Sequence, residues 1–332
     1  MIPMRLLGTG SVLPGRRVPT DEVSAAAWPG RDPADVRART GIDTRHWHVE
    51  GETVASVSAE CLRRALDAAG LDATRLKRLI LVNSLGFDTV MPATANRVAA
   101  ALGLRNTLDC FDVSNACTGF VTGLDLGARS VATGLFPVAV VATELISRFI
   151  APSNPRPYAI LADASGAVIL DRAGPDDGGL LGTWYGNDGF LGDSVTLEHN
   201  PVGGEKALIQ FGGSNERITE EAVSSIAGSA RKALAEAGLG VSDIDWFLLH
   251  QPNGVMFRRV AAALGVDEAR TVPVVHEVGS VGSASIPLAL DRLVRSGRLR
   301  PGATVLMAAV GSGLSYGAVV WKVGRPPACT PA

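Results

Sequence analysis

The sequence lacks most features that would tie it to a metal, a membrane or a nucleic acid. Its 332 residues include four cysteines, and none of them form a Cys-x-x-Cys pair. We therefore expect no disulfide framework, no zinc site and a reducing cytoplasm. No apolar run approaches the roughly 18 residues that cross a bilayer, and the N-terminus is too weakly apolar for a signal peptide. A formal net charge of −2, without long charged runs, argues against nucleic-acid and membrane partners.

What is present indicates a buried α/β protein. Hydrophobic residues make up 46% of the chain, and it contains 38 glycines. Short apolar runs bounded by turn-forming residues are typical of strands buried on both faces. Helical patterns lie between them, such as those that end at Gly70 and Gly238, where glycine is the expected C-cap. The runs predicted as strands are 79–82, 137–141, 158–161, 246–249 and 304–307.

The chain also resembles itself. Residues 64–71 align with residues 232–239 at an offset of 168, and each segment leads through a Gly-Leu turn to a buried strand. Residues 111–143 and 276–310 share a looser pattern of strand, small-residue turn, helix and strand. Two such matches in the same order indicate a duplicated half. We place the division in the Gly/Pro/Asp-rich segment 171–179, which gives halves 1–174 and 175–332.

Cys117 is the first candidate for chemistry. The segment from Phe111 to Phe120 has the pattern of a strand that turns sharply into a helix, with Cys117 at the start of that helix. A helix N-terminus favours an anion, so this position predicts a lowered thiol pKa and backbone N–H groups that can hold an oxyanion. The alternative is an inert buried cysteine, which is the common role of free cysteine. Cys61 and Cys110 lie in plainer contexts, where that alternative is favoured.

His250 is the second candidate, since it follows a buried strand and precedes a loop, a place where α/β folds carry reactive groups. Taken alone, it could equally be a core histidine whose ring nitrogens are hydrogen-bonded to neighbouring groups. Of the other histidines, His46, His48 and His199 lie in polar segments. The Gly-rich turn 311–317 lacks the lysine and the following helix of a phosphate loop, so close approach of its backbone to a reacting centre is the better interpretation.

Taken together, these motifs resemble the β-ketoacyl-acyl-carrier-protein synthase III enzymes and their acyltransferase relatives in the thiolase superfamily. The resemblance implies a thiolase-like fold in which two βαβαβ-type halves form α-β-α-β-α layers. It also implies a homodimer. The matching segments follow the family's order over nearly the whole chain. They are Arg39-Thr40-Gly41-Ile42, Ala116-Cys117-Thr118-Gly119-Phe120, His250-Gln251-Pro252-Asn253, Ser285-Ile286-Pro287-Leu288-Ala289-Leu290 and the turn Gly311–Gly317.

The resemblance assigns roles to particular residues. Cys117 would take an acyl group from a thioester of coenzyme A or of an acyl carrier protein, with no other cofactor, and His250 would lie opposite it. The oxyanion hole would combine backbone groups of Cys117, Ser312 and Gly313. Residues implied for donor or carrier binding are Arg39, Arg156, Asn253 and Arg258, and those implied for the acyl pocket are Met91 and Leu314.

Two departures from the family pattern bear on the reaction. Ser280 takes the place of an asparagine that helps to hold the enolate oxygen of a malonyl extender, and Asp35 takes the place of a tryptophan that stacks on adenine. Serine offers one short hydroxyl where asparagine offers an amide NH₂. We therefore expect Cys117, His250 and Ser280 to act in an acyltransferase of specialised metabolism, of the polyketide or antibiotic type. Its acceptor would be the hydroxyl or amine of a small molecule.

Two alternatives stay open. The first is a β-ketoacyl synthase III that condenses an acyl thioester with a malonyl-type extender. The second is a non-catalytic partner of an active synthase. Such partners usually lack the nucleophile, whereas Cys117 is present.

Overall fold

The computed structural model describes residues 1–174, 177–197, 207–212 and 215–324. Within them the strands are β1 (Ile2–Pro3), β2 (Arg5–Val12), β3 (Arg16–Pro19), β4 (Thr44–Trp47), β5 (Arg78–Val82), β6 (Asp109–Val113), β7 (Val138–Leu145), β8 (Asp163–Asp171), β9 (Gly179–Asn187), β10 (Val195–Thr196), β11 (Gln210–Phe211), β12 (Trp246–Leu249), β13 (Thr304–Gly311) and β14 (Ser315–Lys322).

The α-helices of the described residues are α1 (Thr20–Ala27), α2 (Pro33–Thr40), α3 (Val54–Ala69), α4 (Thr94–Ala101), α5 (Gly119–Ala132), α6 (Pro155–Ile160), α7 (Asn215–Ala237), α8 (Gly254–Leu264), α9 (Val275–Val278) and α10 (Ser285–Arg295). Short 3₁₀ turns, of which Ala116–Thr118 and Gly282–Ala284 matter most below, connect several of these elements.

Two five-stranded sheets share one topology over four of their strands. The first has the order β2-β8-β7-β5-β6, and the second has the order β1-β9-β14-β13-β12. From β2 and from β9 onward the pairing is the same: two antiparallel neighbours are followed by a parallel pair, β7 with β5 in one sheet and β13 with β12 in the other. The predicted duplication of an α/β half is thus confirmed in the fold.

The sheets and helices stack in five layers, α-β-α-β-α. Helices α3 and α4 cover the outer face of the first sheet, α5 and α10 lie between the sheets, and α7 and α8 cover the outer face of the second. The side chains of strand β5 alternate between the two faces of its sheet. Leu79 and Leu81 pack in the hydrophobic cluster under α3 and α4, whereas Ile80 and Val82 pack in the central cluster with α5 and α10. Strands buried on both faces need apolar side chains at every position, which explains the continuous apolar runs.

Glycines on one face of α5 allow this helix to lie close against the first sheet. A Cβ added to Gly119 would lie 2.5 Å from the Val82 side chain, and one on Gly127 would lie 2.8 Å from Leu170. The helix that follows Cys117 is therefore held directly on the sheet, so the position of the nucleophile is set by the packing of α5.

Most predicted elements are present, with two errors, one of which is the strand expected at the start of segment 276–310, where Val275–Val278 forms the helix α9. The helix predicted to end at Gly70 is α3, capped by Thr53 through a reciprocal bond with Ser56. Residues 158–161 were predicted as a strand, which is wrong, because most of that run lies in α6. Pro155 at the first helical position favours a helix start, and the buried strand begins only at Asp163.

The division into residues 1–174 and 175–332 stays a prediction. The division falls between β8 and β9, and residues 175 and 176 lie outside the described part of the chain. His199 and Cys329 also lie outside it. The central cluster combines residues of both halves, for example Val140 and Leu124 of the first with Leu248 and Leu290 of the second.

Candidate active site

The segment around Cys117 forms the predicted strand, turn and helix. Strand β6 ends at Val113, the 3₁₀ turn Ala116–Thr118 follows, and α5 begins at Gly119. Ala116, just before the cysteine, has a φ of 43°, a left-handed conformation that non-glycine residues seldom adopt. Such strain persists where the surrounding structure enforces it, as at reactive turns.

Cys117, His250 and Ser280 meet at one cavity of about 1010 Å³. The residues come from different places in the fold: the turn before α5, the end of β12 and the segment between α9 and α10. Because the turn before α5 packs against the turn before α10, the fold brings together groups that are far apart in sequence. The structure thus places the predicted residues in a common site of a size that holds a substrate.

His250 is anchored on both sides. Its backbone N–H donates to Ala308 O at 2.8 Å, and its Nδ1 lies 2.9 Å from Ser285 Oγ at the start of α10. Burial lowers the pKa of His250 to about 4, so the imidazole is neutral at pH 7. A hydroxyl can donate or accept, so Ser285 supports either tautomer and leaves Nε2 available as a donor or as an acceptor.

The prediction of a lowered thiol pKa for Cys117 was wrong. Burial and, second, the nearby Glu144 carboxyl raise the pKa of Cys117 to about 12. Burial disfavours the charged thiolate, and a like charge beside it disfavours it further. A smaller opposing effect is a hydrogen bond with the Ser84 side chain, which lowers the thiol pKa. In this state the nucleophile is a thiol, and it must lose a proton when it attacks.

Ser280 is held by its backbone, and its side chain borders the cavity. Its N–H donates to Ile160 O at 2.8 Å, and its carbonyl accepts from Ala162 N at 2.9 Å. Within the described residues, no hydrogen bond engages its hydroxyl. One hydroxyl donor is therefore available beside His250.

The Gly-rich turn after β13 brings its backbone against the nucleophile. A Cβ on Gly311 would lie 2.8 Å from Cys117 N and 2.9 Å from Ala116 Cβ, so only glycine permits this approach. The Ser312 hydroxyl donates to Val195 O and ties the turn to β10. Ser312 and Leu314 border the cavity, but Gly313 does not. Gly311 makes the close approach to Cys117, and the contribution of Gly313 to an oxyanion hole stays a prediction.

Several arginines border the cavity, among them two of the three predicted to bind the donor or carrier. Arg39 and Arg156 border it, and the Arg156 guanidinium lies 4.5 Å from the centre of the Phe211 ring. Arg258 is exposed outside the cavity, and its neighbour Arg259 borders it instead. Adjacent residues on α8 point in different directions, and carrier binding by the exposed Arg258 stays a prediction.

Two further residues, Asn253 and Trp28, border the cavity, whereas Met91 does not. Asn253 borders the cavity, and its side-chain oxygen accepts from Met256 N at 2.8 Å as the N-cap of α8. Met91 is 86% exposed and lies outside this chain's cavity, so it forms no part of an acyl pocket within the chain. Trp28 also borders the cavity and has the Arg31 guanidinium 5.2 Å from its ring centre, a pair that the sequence argument missed.

The polar residues behind the two catalytic candidates were not predicted from the sequence. These are Ser285, which contacts His250, and the group formed by Ser84, Glu144 and Ser283 near Cys117. One signal was available: Glu144 is a lone acidic residue at the end of the otherwise apolar run that forms β7. A carboxyl buried in such a strand requires hydrogen-bond partners.

Two negative findings concern the part of the chain that the structure describes. No group of three or more His, Cys, Asp or Glu side chains there could hold a metal ion. No described helix is both long and apolar enough to span a bilayer.

Comparison with known proteins agrees with this geometry. The family model of 3-oxoacyl-(acyl-carrier-protein) synthase III matches residues 111–189. The model of that family's C-terminal part matches residues 234–323. A β-ketoacyl-acyl-carrier-protein synthase III of Hyphomonas neptunium is 34% identical over 95% of this chain and 98% of its own. One from Streptomyces coelicolor is 36% identical over 97% of this chain and 98% of its own.

Solved structures show the same likeness. The crystal structure of 3-oxoacyl-(acyl carrier protein) synthase III from Pseudomonas aeruginosa superimposes with a TM-score of 0.89 at 31% identity, over 98% of this chain and 99% of that one. A priming β-ketosynthase of a polyketide biosynthetic pathway gives a TM-score of 0.89 at 30% identity, over 98% and 97%. The resemblance inferred from the motifs is confirmed, and the chain belongs to the β-ketoacyl-acyl-carrier-protein synthase III family.

Proposed function

We propose that this chain loads an acyl group from an acyl thioester onto Cys117 and condenses it with a malonyl-type extender. The observation that carries the proposal is the meeting of Cys117, His250 and Ser280 at one cavity in a chain whose relatives are named synthase III. This is the alternative that the sequence left second, and the relatives favour it over transfer to a hydroxyl or amine.

The geometry offers a way for the extender to react. With Nδ1 of His250 accepting from Ser285, Nε2 carries the proton and can donate to the thioester oxygen of the extender. The Ser280 hydroxyl would be the second donor to that oxygen. Loss of CO₂ leaves an enolate, whose carbon attacks the acyl carbon on Cys117. The backbone N–H of Cys117 and one in the turn Gly311–Gly313 would hold the resulting oxyanion.

Ser280 supports a second candidate, acyl transfer to a small-molecule hydroxyl or amine in polyketide or antibiotic metabolism. One preorganised oxyanion donor is typically worth about 10²–10³ in rate, and serine is the shorter donor. In the other tautomer, His250 Nδ1 donates to Ser285, so Nε2 can accept the proton of an attacking alcohol or amine. The likeness to a priming β-ketosynthase of a polyketide pathway supports this metabolic setting.

The donor would be coenzyme A or a phosphopantetheine carrier, with a homodimer in the cytoplasm as the functional unit. Arg39, Arg156 and Arg259 at the cavity provide cations suited to phosphate groups. The exposed apolar side chains of Met91 and Phe190 are suited to burial against a second copy.

A product assay separates the two reactions. The acyl-loaded protein is incubated with a malonyl thioester in one arm and with a panel of hydroxyl and amine acceptors in the other. We expect CO₂ release and a β-ketoacyl product in the first arm. An ester or amide without CO₂ release would instead establish the second candidate.

Ser280→Asn provides the matched variant. We expect it to raise malonyl decarboxylation, because an amide NH₂ reaches further than a hydroxyl. Unchanged decarboxylation would mean that residue 280 does not hold the extender oxygen.

A further inference from the structure

One wall of the cavity is apolar and is carried by the first sheet. Strand β6, which leads into Cys117, lies beside β5, and β5 lies beside β7, with all three strands parallel. Because parallel strands end at the same edge of a sheet, the segments that follow them lie side by side. The segment after β5 brings Leu85 and Phe87 to the cavity, and the segment after β7 brings Ile146 and Phe149. With neighbouring strands about 4.8 Å apart, this wall extends about 10 Å from the strand of the nucleophile.

Three contacts join these segments into one surface. Asn83 N donates to Val113 O at 3.2 Å, which holds the segment after β5 against the end of β6. A Cβ on Gly86 would lie 3.9 Å from Phe149 Cζ, so the segments after β5 and β7 meet. Ile209 N donates to Phe149 O at 2.9 Å, and Ile209 also borders the cavity. We call this surface the apolar arm, and it consists of Leu85, Phe87, Ile146, Phe149 and Ile209.

The apolar arm is held from behind. Ser147 and Arg148 separate the two arm residues that follow β7, and neither of them borders the cavity. The buried Asp163 accepts from Ser147 N at 2.8 Å and also from the Ser147 hydroxyl. The Arg148 guanidinium donates to Asp88 at 3.2 Å. Because these polar contacts fix the backbone between the two arm residues, the arm has a set shape.

The charged side chains of the cavity are carried by other elements. Arg39 lies on α2, Arg156 on α6 and Arg259 on α8. Guanidinium groups suit the phosphates of a coenzyme A or phosphopantetheine donor. The apolar arm offers no such group, so a carboxylate placed against it would lose its hydration without gaining a partner. The arm is therefore suited to an uncharged apolar part of the substrate, and in a thioester that Cys117 attacks this part is the acyl chain.

The size of the cavity indicates how large that chain is. The volume of about 1010 Å³ lies at the upper end of the roughly 300–1,000 Å³ that is typical of small-molecule pockets. An acetyl group on Cys117 would leave most of the apolar arm facing water. Each methylene that moves from water onto an apolar wall favours binding by about fourfold, so a longer chain is preferred. An extended octanoyl chain matches the length of the arm that follows from the strand spacing.

We propose that the acyl group loaded onto Cys117 is an uncharged medium-chain group such as octanoyl, which the apolar arm houses. This inference rests on the proposed loading of Cys117. In the loading step the C–S bond to the donor breaks, a C–S bond to Cys117 Sγ forms, and the thiol proton passes to the departing donor sulfur. The chain that extends from the new thioester lies along the arm. Phe149, where the segments after β5 and β7 meet, is a specificity-determining residue for its length.

The test compares the loading of linear acyl groups by intact-protein mass spectrometry. Acetyl, butyryl, hexanoyl and octanoyl thioesters are offered at equal, subsaturating concentrations, on coenzyme A and in parallel on a carrier protein. We expect the loading rate to rise along this series, with octanoyl at least about 10²-fold faster than acetyl. Phe149→Ala should reduce this ratio about tenfold, because the chain loses part of its apolar wall, while acetyl loads within about threefold of the normal rate.

Two further variants separate selection of chain length from a general effect on the site. Phe149→Leu keeps an apolar side chain at the same place and should retain most of the preference for octanoyl. Val255 borders the cavity from α8, outside the apolar arm. Val255→Phe should therefore change all four loading rates by a common factor and leave their ratios as they are.

Each contrary result has its own meaning. Acetyl loading as fast as octanoyl loading in the unaltered protein would overturn the inference and leave the proposed loading of Cys117 intact. A preference for octanoyl that is the same in Phe149→Ala would overturn the role of the apolar arm. Equal slowing of acetyl and octanoyl in Phe149→Ala would show that this residue only supports the site, which also overturns that role. If no thioester forms an adduct, the proposed function fails and this inference fails with it.

Discussion

Replacing Ser285 by alanine should separate the two halves of the reaction. Ser285 is buried at the start of α10, and its hydroxyl is the partner of His250 Nδ1 at 2.9 Å. The substitution leaves a buried ring nitrogen without that partner, which typically costs about 1–3 kcal/mol. Because the ring then loses the contact that fixes its orientation, the step that uses Nε2 should slow by about 5- to 150-fold.

The assay follows each half-reaction by itself. Intact-protein mass spectrometry measures loading of Cys117, and product formation from the loaded protein measures the second step. We expect Ser285→Ala to load within about threefold of the normal rate and to deliver the acyl group about 5- to 150-fold more slowly. Ser285→Thr, which keeps the hydroxyl, is the matched control and should retain most of the second step.

Two results would refute this reasoning. Equal slowing of both half-reactions would show that Ser285 supports the site as a whole. Normal delivery in Ser285→Ala would show that His250 does not depend on its Nδ1 contact.

Three further predictions follow from the same geometry. Gly311→Ala should slow loading by about 10²-fold or more, because its Cβ would lie 2.8 Å from Cys117 N; Gly189→Ala, whose Cβ meets nothing within 4 Å, is the control, and equal rates would contradict the prediction. Arg156→Ala should raise the KM for the thioester donor and leave kcat little changed, as steady-state kinetics would show; a loss confined to kcat would argue against donor binding. The free energy of unfolding of Glu144→Gln, measured by urea denaturation, should rise relative to that of the unaltered protein by up to about 3 kcal/mol as pH rises from 4.5 to 7. A difference between the two proteins that does not change with pH would contradict this prediction.

The sign of the last prediction follows from the direction of the shift. Burial raises the pKa of Glu144 from 4.5 to about 7 in the folded protein. Between these values the folded state holds a proton that the unfolded state has lost, so the stability of the unaltered protein falls as pH rises. Glutamine does not titrate, and the contribution of His250 is common to both proteins.

The sequence was sufficient for the layers and for the two central residues of the site. Strands such as β7 and β13 are buried on both faces, so they require continuous apolar runs that are visible without a structure. Cys117 and His250 were found because each follows a buried strand at a turn, and the family pattern then related them. The run 158–161 was wrongly predicted as a strand because it is apolar. Pro155, which favours the start of a helix, was not taken into account.

The surroundings of the nucleophile could not be predicted from local sequence. Glu144 reaches Ser84 across 60 residues and Ser283 across 139 residues, and only the three-dimensional fold sets such contacts. The pKa of Cys117 was predicted in the wrong direction for the same reason. The helix start was visible in the sequence, whereas the burial of the thiol and the carboxyl beside it were not.

The most direct test of the central claim is the mass of the intact protein after incubation with acyl thioesters. The panel carries aliphatic and aromatic acyl groups on coenzyme A and on a carrier protein, with Cys117→Ala as the control. The account predicts an adduct of the acyl mass on the unaltered protein and none on Cys117→Ala. An adduct that persists in Cys117→Ala, or no adduct from any donor, would contradict it.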